Sequence, residues 1–128
     1  MAARDHLIFF DQSCGFCRRM LQLVYRRDQK CERRLFPIAL QDRAADRELP
    51  GLSTEQRMES WHLKTPDGEI LSGGAALAPL CDLLLLPRLA GKFLRDQPEL
   101  ADRGYRWVAT HRVAFGRLTR WLPDFYRR

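Results

Sequence analysis

Apolar and polar positions change period along this chain, and the changes mark out its elements. His6-Leu7-Ile8-Phe9-Phe10 is an apolar run stopped by Asp11-Gln12-Ser13, which predicts a buried strand followed by a tight loop. From Cys14 onward the apolar positions Cys17, Met20, Leu21, Val24 and Tyr25 recur at spacings of three and four, with Arg18, Arg19, Gln22, Arg26 and Arg27 between them. That pattern predicts an amphipathic helix with Ser13 as its N-cap and an end near Asp28. Arg34 to Leu40 reads as a second strand, and Pro37 within it, lacking a ladder donor, points to an edge position or a bulge.

Polar Gln41 to Glu48 is expected to be helical and is broken at Pro50-Gly51, after which Ser53 and Gln56 form a capping-box pattern. Trp61-His62-Leu63-Lys64, Thr65-Pro66-Asp67-Gly68 and Glu69-Ile70-Leu71 make a hairpin signal, with Pro and Gly where a turn needs a fixed or a positive φ. Gly73-Gly74 then opens an apolar helix expected over Ala75 to Leu86, and the rest, punctuated by Gly91, Pro98 and Pro123, supplies one or two more helices. Within it, Trp107, Val108, Phe115, Leu118, Trp121 and Leu122 predict one helix over 104–122. Its broad apolar face, with His111 inside it, is expected to pack on the sheet and leave Arg106, Arg112, Arg117 and Arg120 in solvent.

The first strand, helix and strand imply a right-handed crossover between parallel strands. Adding the hairpin gives a small mixed α/β sheet flanked by helices, the order of elements of a thioredoxin-like domain, here with a helical C-terminal extension. At 128 residues the chain is expected to form a single domain over 1–128.

Composition narrows the classes. No tract approaches the roughly 18 to 20 apolar residues that cross a bilayer; the nearest, Ala75 to Leu86, contains Asp82. Met1 to Asp5 run directly into the first strand without an apolar leader, so export is not expected and a cytoplasmic location is. The net charge of +6 lies in the last third: residues 1–87 hold twelve Lys/Arg against twelve Asp/Glu, and residues 88–128 hold ten against four. All basic residues but Lys30, Lys64 and Lys92 are Arg, which suits bidentate contact with carboxylates or phosphates and equally follows from a codon bias.

Four cysteines without a secretory signal argue against a disulfide scaffold. Cys14 and Cys17 form a CxxC pair, whereas Cys31 and Cys81 stand alone and read as surface and core thiols. Two cysteines three apart on a helix share a face with Cα atoms about 5 to 6 Å apart, which a disulfide can bridge. At a helix start, free N–H groups and the macrodipole favour an anion, so Cys14 is the expected nucleophile. Cys17, one turn deeper on the apolar face, is the expected resolving thiol. Asp11, three residues before Cys14, either anchors the turn or shuttles a proton to Cys17. Its charge would raise the thiol pKa, so the helix terminus has to outweigh it.

Phe10-Asp11-Gln12-Ser13-Cys14-Gly15-Phe16-Cys17 resembles the DxxCxxC signature of the DCC family, or DUF393, of predicted thiol-disulfide oxidoreductases. The likeness extends to Asp67-Gly68, to Gly73-Gly74-Ala75, and to Tyr105, Ala109, Arg112, Phe115, Gly116 and Arg117 in the tail. It implies a thioredoxin-like fold and dithiol–disulfide exchange with a protein or a low-molecular-weight thiol or disulfide. Two departures stand out: Gln12 replaces the Gly that often follows the motif's Asp. Met58-Glu59-Ser60-Trp61 also lacks the proline that thioredoxins place before the hairpin strand.

Other chemistries fit less well. A zinc site would need Cys14, Cys17 and Cys31 with His6, His62 or His111, but structural sites pair two short ligand motifs and this chain has one. No metal and no cofactor are expected. The basic and aromatic interleaving of the tail could bind an anionic surface; no RNA or DNA motif accompanies it, and no nucleic-acid partner is expected. A reading from a different class is a non-catalytic module that docks an acidic, peripheral membrane or membrane-protein partner through the basic C-terminal helix.

Overall fold

The computed structural model describes residues 5–31 and 33–124. The elements run β1 (His6–Phe10), α1 (Gly15–Lys30), β2 (Leu35–Ala39), α2 (Arg43–Glu48), α3 (Thr54–Glu59), β3 (His62–Lys64) and β4 (Ile70–Ser72). A 3-10 turn (Gly73–Ala76) leads into α4 (Leu77–Leu83), α5 (Arg88–Asp96), α6 (Pro98–Thr110) and α7 (Arg112–Leu118). The four strands form one mixed sheet in the order β2-β1-β3-β4. β1 pairs parallel with β2 and antiparallel with β3, and β3 pairs antiparallel with β4, the architecture of a small thioredoxin-like fold. Pro37 sits on the edge strand β2, where a missing N–H costs no ladder bond.

Alternation along β1 explains why its run is apolar throughout. Ile8 and Phe10 point to one face and pack with Leu21 of α1 and with Leu80 and Leu83 of α4. Leu7 and Phe9 point to the other face and pack with Leu40, Ala45 and Leu49 around α2. A strand covered on both faces has no solvent side on which polar residues are favoured. The crossover is locked by Asp28, fully buried, whose carboxylate accepts the backbone N–H groups of Arg34 at 2.8 Å and Leu35 at 3.0 Å. A hydrogen bond to a charged acceptor contributes about 1.5–3 kcal/mol, so this side chain sets where β2 begins.

Three sequence expectations are corrected. The N-cap of α1 is Cys14 rather than Ser13: Cys14 has extended backbone angles, and its sulfur accepts the Cys17 N–H. Ser13 instead turns its hydroxyl back to Asp11. The apolar helix is shorter than Ala75 to Leu86, because Gly73, at φ +57°, starts a 3-10 turn and the α-helix closes at Leu83.

The tail is two helices, broken at His111, and it packs on α1 and the 3-10 turn rather than on the sheet as one apolar face. His111 is exposed, with its ring 4.8 Å from that of Trp107. Trp107, Val113, Leu118 and Trp121 are 59–80% exposed. Phe115 does turn inward, 5.6 Å between ring centroids from Phe16 of α1. Arg19 donates to the Gly116 carbonyl and to the Thr119 hydroxyl, and Arg18 pairs with Asp124. The basic residues of α1 that flank the CxxC therefore hold the tail. At the other end, an added Cβ on Gly74 would lie 2.6 Å from the Asp102 Cα. Only glycine lets α6 approach the 3-10 turn this closely.

Candidate active site

β1 delivers the chain to the site, and a short loop turns it into α1. Asp11 Oδ1 accepts the Ser13 N–H at 2.9 Å, the Ser13 hydroxyl at 2.6 Å and the Gln41 amide at 2.7 Å. Gln41 in turn accepts the Gln12 N–H at 3.2 Å, and Arg18 donates to the Gln12 carbonyl at 2.6 Å. Burial works against ionisation at Asp11, but the hydrogen bonds from Ser13 and Gln41 and the charge of Arg112 outweigh it and hold the carboxyl below its usual range. The contacts are those of a turn anchor. Gln41, 30 residues away, carries no signal in the sequence that would have found it.

Cys14 is half-buried, and its sulfur accepts the Cys17 N–H at 3.3 Å. Sulfur thus occupies the place that a capping oxygen takes at an ordinary helix start, and a negative charge there is favoured by the unpaired N–H groups. The hydrogen bond donated by the Cys17 thiol is the largest cause of a lowered Cys14 pKa, which falls from 9.0 to about 6. Burial opposes the shift, the Cys17 backbone N–H and Arg112 assist it, and Asp11 opposes it weakly. The cost expected from Asp11 is real and is outweighed.

Cys17 moves the other way. Its hydrogen bond to Cys14, its burial and the Cys14 charge all push its pKa far above the ordinary value, while a hydrogen bond from the Arg112 guanidinium and its charge pull it down. One thiol is thereby poised as an anion and its neighbour as a proton donor.

Arg112 was expected in solvent. It is instead half-buried at the first position of α7, steadied by its Nε–H donating to the Ala109 carbonyl at 3.2 Å, and it lines the same cavity as Cys17, where its charge acts on that sulfur. The periodicity of the tail held no sign of which of its four arginines would turn inward, although the family likeness already took in Arg112. A cavity of about 550 Å³ lies behind Cys17, walled by apolar side chains such as Phe10, Met20, Trp61, Leu100 and Val108. At its edge the Trp61 N–H donates to the Tyr105 hydroxyl at 3.2 Å.

The remaining candidates stand apart. Cys31 caps the end of α1 and faces the Leu84 carbonyl at 3.6 Å. Cys81 lies in α4, its pKa raised by burial. His62 is a core histidine, bonded through Nδ1 to the Ser72 hydroxyl at 2.6 Å and through Nε2 to the Arg57 carbonyl at 2.9 Å. Among the described residues no group of three or more His, Cys, Asp or Glu could hold a metal ion, and no helix is long and apolar enough to cross a membrane.

The family model described as DCC1-like thiol-disulfide oxidoreductase matches residues 8–118. The chain belongs to the DCC1-like family. No curated protein and no solved structure matches it. The matched span of this DCC1-like chain runs from β1 through α7, so it takes in both the dithiol and the helix that carries Arg112.

Proposed function

We propose that the protein is a thiol–disulfide oxidoreductase in which Cys14 attacks and Cys17 resolves, within one thioredoxin-like domain. The observation that carries the reading is the opposed pair of pKa shifts on two sulfurs joined by a hydrogen bond. Family membership supports the reaction class. A Cys14 thiolate attacks one sulfur of a substrate disulfide, forming a mixed disulfide and expelling a thiolate. Cys17 then attacks the Cys14 sulfur, forming Cys14–Cys17 and releasing the second substrate thiolate. Asp11 serves as the anchor of the turn that presents Cys14, rather than as a base. The substrates are disulfides of proteins or of low-molecular-weight thiols, met in the cytoplasm.

The test separates this from a docking module with an idle CxxC. Cys17→Ser should accumulate a stable mixed disulfide on Cys14 when the protein is exposed to oxidised glutathione, read as an added mass on the Cys14 peptide. Cys14→Ser should accumulate none. A folded Cys17→Ser protein that stays unmodified would overturn the proposal in favour of the module.

A further inference from the structure

The resolving step asks Cys17 to become an anion against a cavity whose wall is almost wholly apolar, an unfavourable place for a new charge. The charged and ionisable groups that meet Cys17 there are few. Cys14 and Asp11 approach from the β1–α1 loop, Tyr105 from α6 and Arg112 from α7. Of these, Arg112 is the cation: it lines the same cavity as Cys17, and its charge acts on the sulfur that must ionise.

We propose that Arg112 is a catalytic residue of the resolving half-reaction, holding the Cys17 thiolate while it attacks the Cys14 mixed disulfide. The inference rests on the dithiol reading above and adds the group that makes Cys17 competent. In the reduced protein Cys17 is kept protonated mainly by its partner: it donates to the Cys14 sulfur and sits beside the Cys14 charge. Once Cys14 is bonded to substrate sulfur, that charge is gone and the hydrogen bond loses its anionic acceptor. The charge of Arg112 remains beside the cavity, because the side chain belongs to α7 and is held by Ala109 rather than by Cys14. The balance at Cys17 therefore swings toward the thiolate only after the first step.

Protons and electrons close without another reagent. In the first step the Cys14 electron pair forms the bond to one substrate sulfur, and the S–S bond breaks with its pair on the leaving sulfur. That departing thiolate takes the Cys17 proton and leaves as a thiol. The Cys17 thiolate, paired with Arg112, attacks the Cys14 sulfur and expels the second substrate sulfur as a thiolate. One disulfide is reduced, the dithiol is oxidised, and the single negative charge is conserved.

Stopped-flow reaction of the full reduced chain with excess 4,4′-dithiodipyridine reads both steps, since each releases one coloured thiopyridone. The first phase scales with reagent concentration and reports Cys14; the second does not and reports Cys17. Arg112→Gln should slow the second phase about tenfold or more at pH 7, the range of a lost charge-assisted hydrogen bond, and move its pH midpoint upward. It should slow the first phase by no more than about threefold, because the hydrogen bonds from Cys17 rank ahead of Arg112 among the causes that lower the Cys14 pKa and survive the substitution. Arg112→Lys, which keeps the charge, should recover part of the second phase. A second phase unchanged in rate and pH midpoint in Arg112→Gln, with both phases intact, overturns the role of Arg112 alone. Wild-type protein that releases only one equivalent overturns the dithiol mechanism and this inference with it.

Discussion

Raising the pH from 5 to 9 should invert the reactivity of Cys14 relative to an ordinary thiol. Two effects compete. With its pKa near 6 rather than 9.0, Cys14 is about 90% thiolate at pH 7, against about 1% for the reference, a gain of about 90-fold in reactive species. Thiolates lose nucleophilicity as their pKa falls, with a Brønsted slope of about 0.4–0.5, so the same shift costs about 20-fold per thiolate. The net advantage at pH 7 is then only about fourfold. At pH 5 the ionisation ratio grows to about 900-fold and the net advantage to about 40-fold. At pH 9 the reference is half ionised, the ratio falls to about two, and Cys14 becomes about ten times slower. The assay is the first phase of dithiodipyridine reduction by the wild-type chain beside a cysteine peptide of ordinary pKa, followed across this range. A Cys14 rate that climbs in parallel with the peptide up to pH 9 would refute the claim that a helix-start hydrogen-bond pair holds the sulfur ionised. The same shift has a sign in stability. In the reduced protein Cys14 contributes stability that is lost as pH falls through about 6 and fully present above 9.

Two further outcomes test the scaffold. Gly74→Ala should lower stability by about 1–3 kcal/mol in a urea melt, since its Cβ would meet the α6 backbone at Asp102, which cannot swing aside as a side-chain tip can. A loss near zero would mean that α6 does not rest on the 3-10 turn. Asp11→Ala removes the acceptor of three hydrogen bonds and should lower stability by about 1–2 kcal/mol while the second phase of thiopyridone release stays within about threefold. Slowed resolution at unchanged stability would instead make Asp11 a proton carrier.

Much of the fold was legible because it follows from short-range patterns. β1 was found to the residue, and the capping box at Ser53 and Gln56 is present as the spacing implied. The hairpin around Pro66-Asp67-Gly68 is where the turn residues put it, with Gly68 at φ +93°. Ser13 failed as a cap because two acceptors compete for the same loop: its hydroxyl bonds Asp11, which leaves the cap to a sulfur. The tail failed for a different reason. Periodicity shows that a segment has an apolar face but not which surface covers it, and here much of that face is left to solvent. The pairing of Arg112 with Cys17 spans 95 positions, far beyond any local pattern.

The two ends of the chain divide the chemistry. In the proposed reaction residues 11–17 supply the nucleophile and the helix start that favours its thiolate, features built mainly by the end of β1 and the start of α1. The proposed resolving thiol needs more, because a partly buried sulfur on a cavity lined by side chains such as Met20, Leu100 and Val108 is hard to ionise unless the same wall brings a cation. Here the same C-terminal segment does both: α6 contributes apolar wall, and α7 contributes Arg112. That segment is held over the site by Arg18 with Asp124 and by Arg19 with Gly116, both arginines lying within two residues of Cys17. Displacing the tail would therefore withdraw the burial and the cation together. Trp107, Val113 and Trp121 are exposed, and of these Trp107 meets Phe115, 5.5 Å between ring centroids. On the proposed mechanism the basic tail, whose alternative reading is a docking element, belongs first to the redox site, because α6 and α7 line the cavity that Cys17 faces and bring Arg112 to it.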